Sequence, residues 1–174
     1  MILLHLRVSR ERRARTGAPL ASGLFILGYV AVWAAFSALA TAAQWALDQA
    51  TLLSPMMAAR SSALAGALLI AAGLYQLTPL KYACLRHCRS PLDFVMTQWR
   101  EGRAGALAMG LRHGAYCVGC CWVLMLLLFV GGVMNLVWIA ALAAIVLFEK
   151  LLPGGIWVAR VTGVALIAWG SAVL

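Results

Sequence analysis

The chain alternates long apolar runs with short segments that hold most of its charge. Candidate spans are about Pro19 to Ala42, Ser61 to Leu77, Gly114 to Val130, Val133 to Phe148 and Ile156 to Leu174. A membrane-crossing helix needs roughly 20 apolar residues, so the shorter runs are expected to draw on their flanks. Each must be helical, because an open strand would leave its backbone polar groups unsatisfied in hydrocarbon. Pro19 suits the N-terminal turn of the first span. The expected fold is therefore all-α: a polytopic transmembrane helical bundle of about five spans, with 1–174 as one integral membrane domain. The polar 78–113 loop is too patterned for a tether. Thr78-Pro79 reads as an N-cap and first-turn proline opening a short helix to about Arg89. Ser90-Pro91-Leu92-Asp93 repeats the device, with Asp93 at the capping-box position and Leu92, Val95, Met96 and Trp99 on one face. Both are expected to be interfacial helices. Gly102, Gly105, Gly110 and Gly114 then lead into the third span.

Composition makes the bilayer the solvent. Of 174 residues, 64% are hydrophobic and 11% charged, more apolar surface than a soluble domain of this length can hide. A net charge of +9 would suggest nucleic acid in a polar protein, but here the basic residues sit between apolar runs, where they set topology. No nucleic-acid partner is expected; the lipid bilayer is. Arg7, Arg10, Arg12, Arg13 and Arg15 precede the first span, and Lys81, Arg86, Arg89, Arg100, Arg103 and Arg112 lie between the second and third. Only Arg60 separates the first from the second, and Lys150 and Arg160 flank the last turnaround. The rich segments, and the N-terminus, are expected in the cytoplasm, with Gln44 to Arg60 and the C-terminus outside. The opening MILLHLRVSRERRAR reverses the charge order of a signal peptide. Its first six residues look like the tail of a helix that begins upstream.

The candidate chemistry lies in sulfur. HGAYCVGCCW, from His113 to Trp122, holds three cysteines and a histidine at the edge of an apolar run, and Cys84 and Cys88 precede it on the same side. Five is an odd number and the cytoplasm is reducing, so a disulfide framework is not expected. Cys84 and Cys88, four apart, share a helix face with His87 beside them. On a helix Cys117, Cys120 and Cys121 span an arc of about 100°, with His113 inside it about 40° from Cys117. A helix start and Arg112 both favour thiolates. Thiolates select Cu(I), Zn(II) or iron–sulfur units, and imidazole suits them. The candidate metal ligands are thus Cys84, Cys88, His113, Cys117, Cys120 and Cys121, for copper(I) first and zinc second. A single cysteine is more often apolar filler, but this grouping favours a site. Met125 continues the face, though methionine usually packs. His5 has no partner and Asn135 suits a capping role. Glu149 and Lys150 read as a solvated pair. Gly110 and Gly114 form a GxxxG that suggests close helix approach.

The motifs "TPLK..CL..CRSP", "HG.YC.GCCW", "GVMNL" and "EK..P" between Tyr75 and Gly155, with "LSPMM" at Leu53 to Met57, carry a resemblance. The chain resembles a bacterial family of uncharacterised integral membrane proteins described as metal-binding, some of them called copper chaperones. Members open with a further methionine-rich apolar segment before the basic cluster; here that segment is expected either to lie upstream of Met1 or to have been lost. The resemblance implies a multi-pass protein of the bacterial inner membrane, no enzymatic activity, and metal handling. Such a protein would act as chaperone, assembly factor or transport element, with a metal-donor or metal-acceptor protein or a larger membrane complex as partner. Two other readings stand beside it: a thiol–disulfide oxidoreductase using the CxxC of Cys117 and Cys120, and a structural subunit with cysteines as filler.

Overall fold

The computed structural model describes residues 18–55, 57–90, 94 and 96–174, with the side chains of 18 and 19 left aside. The opening apolar piece with His5, the Arg7 to Arg15 cluster, Met56, and Pro91, Leu92, Asp93 and Val95 lie outside the described residues. Helices follow in the order α1 (Ala18–Gln49), α2 (Ser62–Gln76), α3 (Pro79–Arg89), α4 (Gly102–Leu126), α5 (Leu128–Gly131), α6 (Leu136–Leu151) and α7 (Gly155–Val173). Among the described residues the only β pairing is one isolated bridge between Leu53 and Ala59. The expected all-α fold is found.

Three helical stretches are long and apolar enough to cross a membrane: Leu20–Gln49, Gly102–Gly131 and Gly155–Val173. A fourth is reached if α2 and α3, bent by 66° at their junction, count as one span. Length accounts for the difference from five. At 1.5 Å per residue, the 16 residues of α6 cover about 24 Å, against a hydrocarbon core of about 30 Å.

Local chemistry sets the helix ends. Ser61 caps α2, its Oγ accepting from the Leu64 N–H at 3.4 Å. Thr78 caps α3 as expected, accepting from the Lys81 N–H at 3.3 Å while its hydroxyl donates to the Tyr75 carbonyl at 2.7 Å. Asn135 caps α6 through Oδ1, which accepts from the Trp138 N–H at 3.1 Å. Within the expected second interfacial helix, Phe94 N–H donates to Ser90 O and Gln98 N–H to Phe94 O, both four-residue helical bonds.

The chain divides into two compact units. One comprises residues up to Ser37 with Ala83–Cys120; the other comprises Ala38–Tyr82 with Cys121–Leu174. In the first, α1 and α4 approach backbone to backbone. A Cβ at Gly28 would stand 2.6 Å from Leu107 O, and one at Gly110 would meet the carbonyl of Phe25. One at Gly114 would meet Val32 Cβ at 3.0 Å. The glycines expected to lead into the third span are thus helical residues of α4, and 110 and 114 form its contact face. Phe25, Phe94 and Met109 are buried together beside it, with Trp99 and Tyr116 packed against them. Gly110→Ala is expected to destabilise the protein by about 1–3 kcal/mol, the cost of overpacking a tight contact. Denaturant titration in mixed micelles reads this; wild-type stability would show that the two backbones have room to part.

In the second unit α2 and α7 meet through paired glycines, Gly66 against Gly170 and Gly73 against Gly163. Leu69, Ala72, Val123, Leu124, Leu127, Leu142 and Leu166 form its buried core. Trp138 closes one end, donating Nε1–H to Leu127 O at 2.8 Å.

Candidate metal site

Spacing on α3 does what four residues on a helix must: Cys84 and Cys88 share one face, and both are half-buried. That face meets α4 within the first unit. Cys84 Sγ lies 2.9 Å from where a Cβ on Gly119 would stand, so the glycine leaves the room the sulfur occupies. Cys88 Sγ lies 2.8 Å from Cys117 Sγ. The two cysteine groups, 29 residues apart in sequence, therefore meet. His113, one turn before Cys117, brings Nε2 to 4.0 Å from the same sulfur. Cys120 is turned along its own helix, donating S–H to the Cys117 carbonyl at 3.1 Å. Cys121 is also buried and belongs to the second unit. Met125 lies in that unit too, half-buried.

Burial and contact with neighbouring thiols make Cys84 and Cys88 hard to ionise. Cys88 is pushed far above the ordinary thiol range, first by hydrogen bonding with Cys117, then with Cys120, then by burial. Burial raises Cys84, and the nearby Cys120 adds to it. Neutral thiols suit the close S–S approach, since two thiolates at that distance would repel.

His113 occupies a ring-lined chamber that patterning along the chain does not reveal. It is 4% exposed, and the rings of Phe94, Tyr29 and Phe25 stand 5.0, 5.9 and 6.2 Å away by centroid. Its Nδ1 is buried without a partner among the described residues. A buried ring nitrogen left unpaired costs about 1–3 kcal/mol, which a bound ligand would offset. His87, which helical spacing places beside the cysteines, stacks on Tyr116 at 4.5 Å and engages its own backbone through Nδ1 at 2.9 Å from Ala83 O.

Among the described residues no three Cys, His, Asp or Glu side chains stand in position to hold a metal ion. Distance explains this at the Cys88–Cys117 pair. Two thiolates sharing a tetrahedral metal with bonds of about 2.3 Å stand about 3.8 Å apart. The observed 2.8 Å is shorter, and longer than the 2.05 Å or so of a disulfide. Seating a metal needs the sulfurs to part by about 1 Å, which rotation about the bonds of half-buried Cys88 can supply.

A second polar cluster is invisible to local spacing. Glu149 is 1% exposed rather than solvated, because Lys81, 0% exposed, donates to Oε2 at 2.6 Å and Gln76 Nε2 donates to Oε1 at 2.6 Å. Its place inside the apolar run IVLFEKLL is the available signal, since an ionisable residue there needs a buried partner.

Comparison with curated proteins and with solved structures returns no match. The chain matches the family PpoB2, described as copper chaperone, over residues 1–173. Cys88 of α3 and Cys117 of α4 are soft donors in contact, which agrees with that description in kind, and the match extends over nearly the whole length. The chain belongs to the PpoB2 copper chaperone family.

Proposed function

We propose that this protein is a single integral membrane domain that handles copper as Cu(I), its cargo, through thiols of α3 and α4. The contact between Cys88 and Cys117 at 2.8 Å carries the reading, with His113 Nε2 at 4.0 Å as the third donor. Two soft sulfurs and one imidazole suit a cation that accepts low coordination, and copper ranks above zinc for such donors. Cys84 and Cys120 stand near enough to take part in ligand exchange, and Cys121 remains a proposed ligand by its place in the arc of α4. Passing the metal on requires a donor or acceptor protein, which half-buried Cys84 and Cys88 are placed to meet.

The test is copper content after purification under reducing conditions, for wild type and for the variant with all five cysteines changed to serine. Copper in the first and none in the second is expected; equal content would return the cysteines to packing. We further propose the bacterial inner membrane with the N-terminus in the cytoplasm, supported by the concentration of basic residues around Cys84 and Cys88. A membrane-impermeant thiol reagent on intact cells should miss Cys84 and label Gln49→Cys. The reverse pattern would invert the topology.

The Cys88–Cys117 approach also favours a second reading, a thiol–disulfide oxidoreductase. Its redox pair would be Cys88 with Cys117 rather than the CxxC pair, since the Cys120 thiol is engaged with the Cys117 carbonyl. Trapping a mixed disulfide with a partner in a Cys88→Ser variant would support it.

A further inference from the structure

Copper bound at Cys88, Cys117 and His113 leaves two further soft donors uncommitted beside it. Cys84 and Cys88 stand about one helical turn apart on α3, and Cys117 and Cys120 nearly one turn apart on α4. The two helices present them to each other as two rungs. In the first, Cys88 Sγ meets Cys117 Sγ at 2.8 Å. In the second, Cys84 Sγ packs over Gly119, 2.9 Å from where a Cβ there would stand, and Cys120 is close enough to act on it electrostatically. Cys88 joins the rungs, because it hydrogen-bonds Cys120 as well as Cys117. All four sulfurs belong to the one compact unit that contains Ala83–Cys120.

Resting on the copper reading, we propose that α3 and α4 hold two copper(I) ions rather than one. The first is bound by Cys117 and His113, the second by Cys84 and Cys120, and Cys88 is shared between them. Residues four apart on a helix keep their Cβ atoms about 5–6 Å apart. A single tetrahedral ion needs all four of its sulfurs about 3.8 Å from one another. Two rungs set a helical turn apart therefore suit two ions of low coordination better than one ion with four ligands. A thiolate sulfur has more than one lone pair, so Cys88 can serve both soft cations.

Loading requires only side-chain movement. The Cys120 S–H that donates to the Cys117 carbonyl at 3.1 Å gives up that bond as the thiol ionises, and rotation about χ1 turns the sulfur towards Cys84. The four thiols release one proton each to solvent as two Cu(I) ions enter, and copper keeps its oxidation state. Thiolates then outnumber cations. Exposed Arg86 of α3 and Arg112 of α4, on the same two helices, carry the compensating sign. Gly119 is what admits the second ion. It is the position on α4 that faces Cys84, and a side chain there would push the sulfur aside.

The experiment titrates the full chain in detergent micelles, without oxygen and with a non-thiol reductant, using Cu(I) buffered by a chromophoric chelator. Elemental analysis reads the copper bound per chain at saturation, and X-ray absorption reads copper–copper scattering. Wild type should saturate at two ions and show the scattering. Gly119→Ala, which keeps all five cysteines, should weaken the second ion at least tenfold and leave the first unchanged, because its methyl displaces Cys84 Sγ. Cys84→Ser should stop at one ion and lose the scattering, and Cys120→Ser takes its place if that variant does not fold. Saturation of wild type at one ion would overturn the proposal while the copper reading stands. Two ions in wild type and still two in Cys84→Ser would put the second ion elsewhere and overturn it as well. No bound copper in wild type is a different result, which would sink the copper reading and this proposal with it.

Discussion

Lys81→Met is expected to destabilise the folded protein by about 3–5 kcal/mol, the cost of leaving a buried charge without its partner. Lys81 and Glu149 are at most 1% exposed and 2.6 Å apart, so water cannot replace the lost ammonium. Removing both charges should be much milder. In the double variant Lys81→Met/Glu149→Gln two neutral side chains of similar size fill the same space, and Gln76 can still bond to the new amide. Paired replacement of buried ions is often close to neutral. The signature is therefore non-additive: the double variant should be more stable than Lys81→Met alone, with a coupling at or above the upper end of the usual range of about 0.5–3 kcal/mol for residues in contact. Denaturant unfolding of all variants in one micelle system measures it. A loss below about 1 kcal/mol in the single variant would be the size of an exposed pair and would contradict the burial.

The second large effect is on metal affinity. Cys117→Ser exchanges a soft thiolate for a hard, largely protonated hydroxyl, which neither Cu(I) nor Zn(II) prefers. Cu(I) binding should weaken at least tenfold, about 1.4 kcal/mol, with little change in fold because the volumes are close. Cys88→Ser should do the same, since Cys88 supplies the sulfur opposite. Met125→Leu tests whether a thioether participates: it should weaken Cu(I) if so, and leave Zn(II) unchanged. The pH dependence has a definite sign. Contact with Cys117 and Cys120, together with burial, keeps the Cys88 thiol protonated well above the ordinary range. Copper must displace that proton, so affinity should rise with pH, by up to tenfold per unit for each proton released. Competition titrations against a chromophoric chelator at several pH values read both effects. Equal affinity in wild type and Cys117→Ser would remove the centre of the site.

Much of this is legible along the chain, because the signals are local. Apolar runs determine helices wherever water is excluded, and Thr78, Ser61 and Asn135 determine helix starts through oxygens that reach only three residues on. Four-residue spacing by itself puts Cys84 and Cys88 on one face. Tertiary structure alone decides which partners those faces meet. That Cys88 rather than Cys84 lies against Cys117 depends on how α3 seats on Gly119. The rings around His113 come from α1 and from Phe94, distant in sequence and joined only by packing. Glu149 escapes a local reading for the same reason. Its neighbour in sequence is Lys150, but the cation that neutralises it is 68 residues away, because burying a carboxylate requires a donor that arrives in the same dry space. Short-range geometry is written residue by residue, whereas pairing across helices is settled by the free energy of the packed chain.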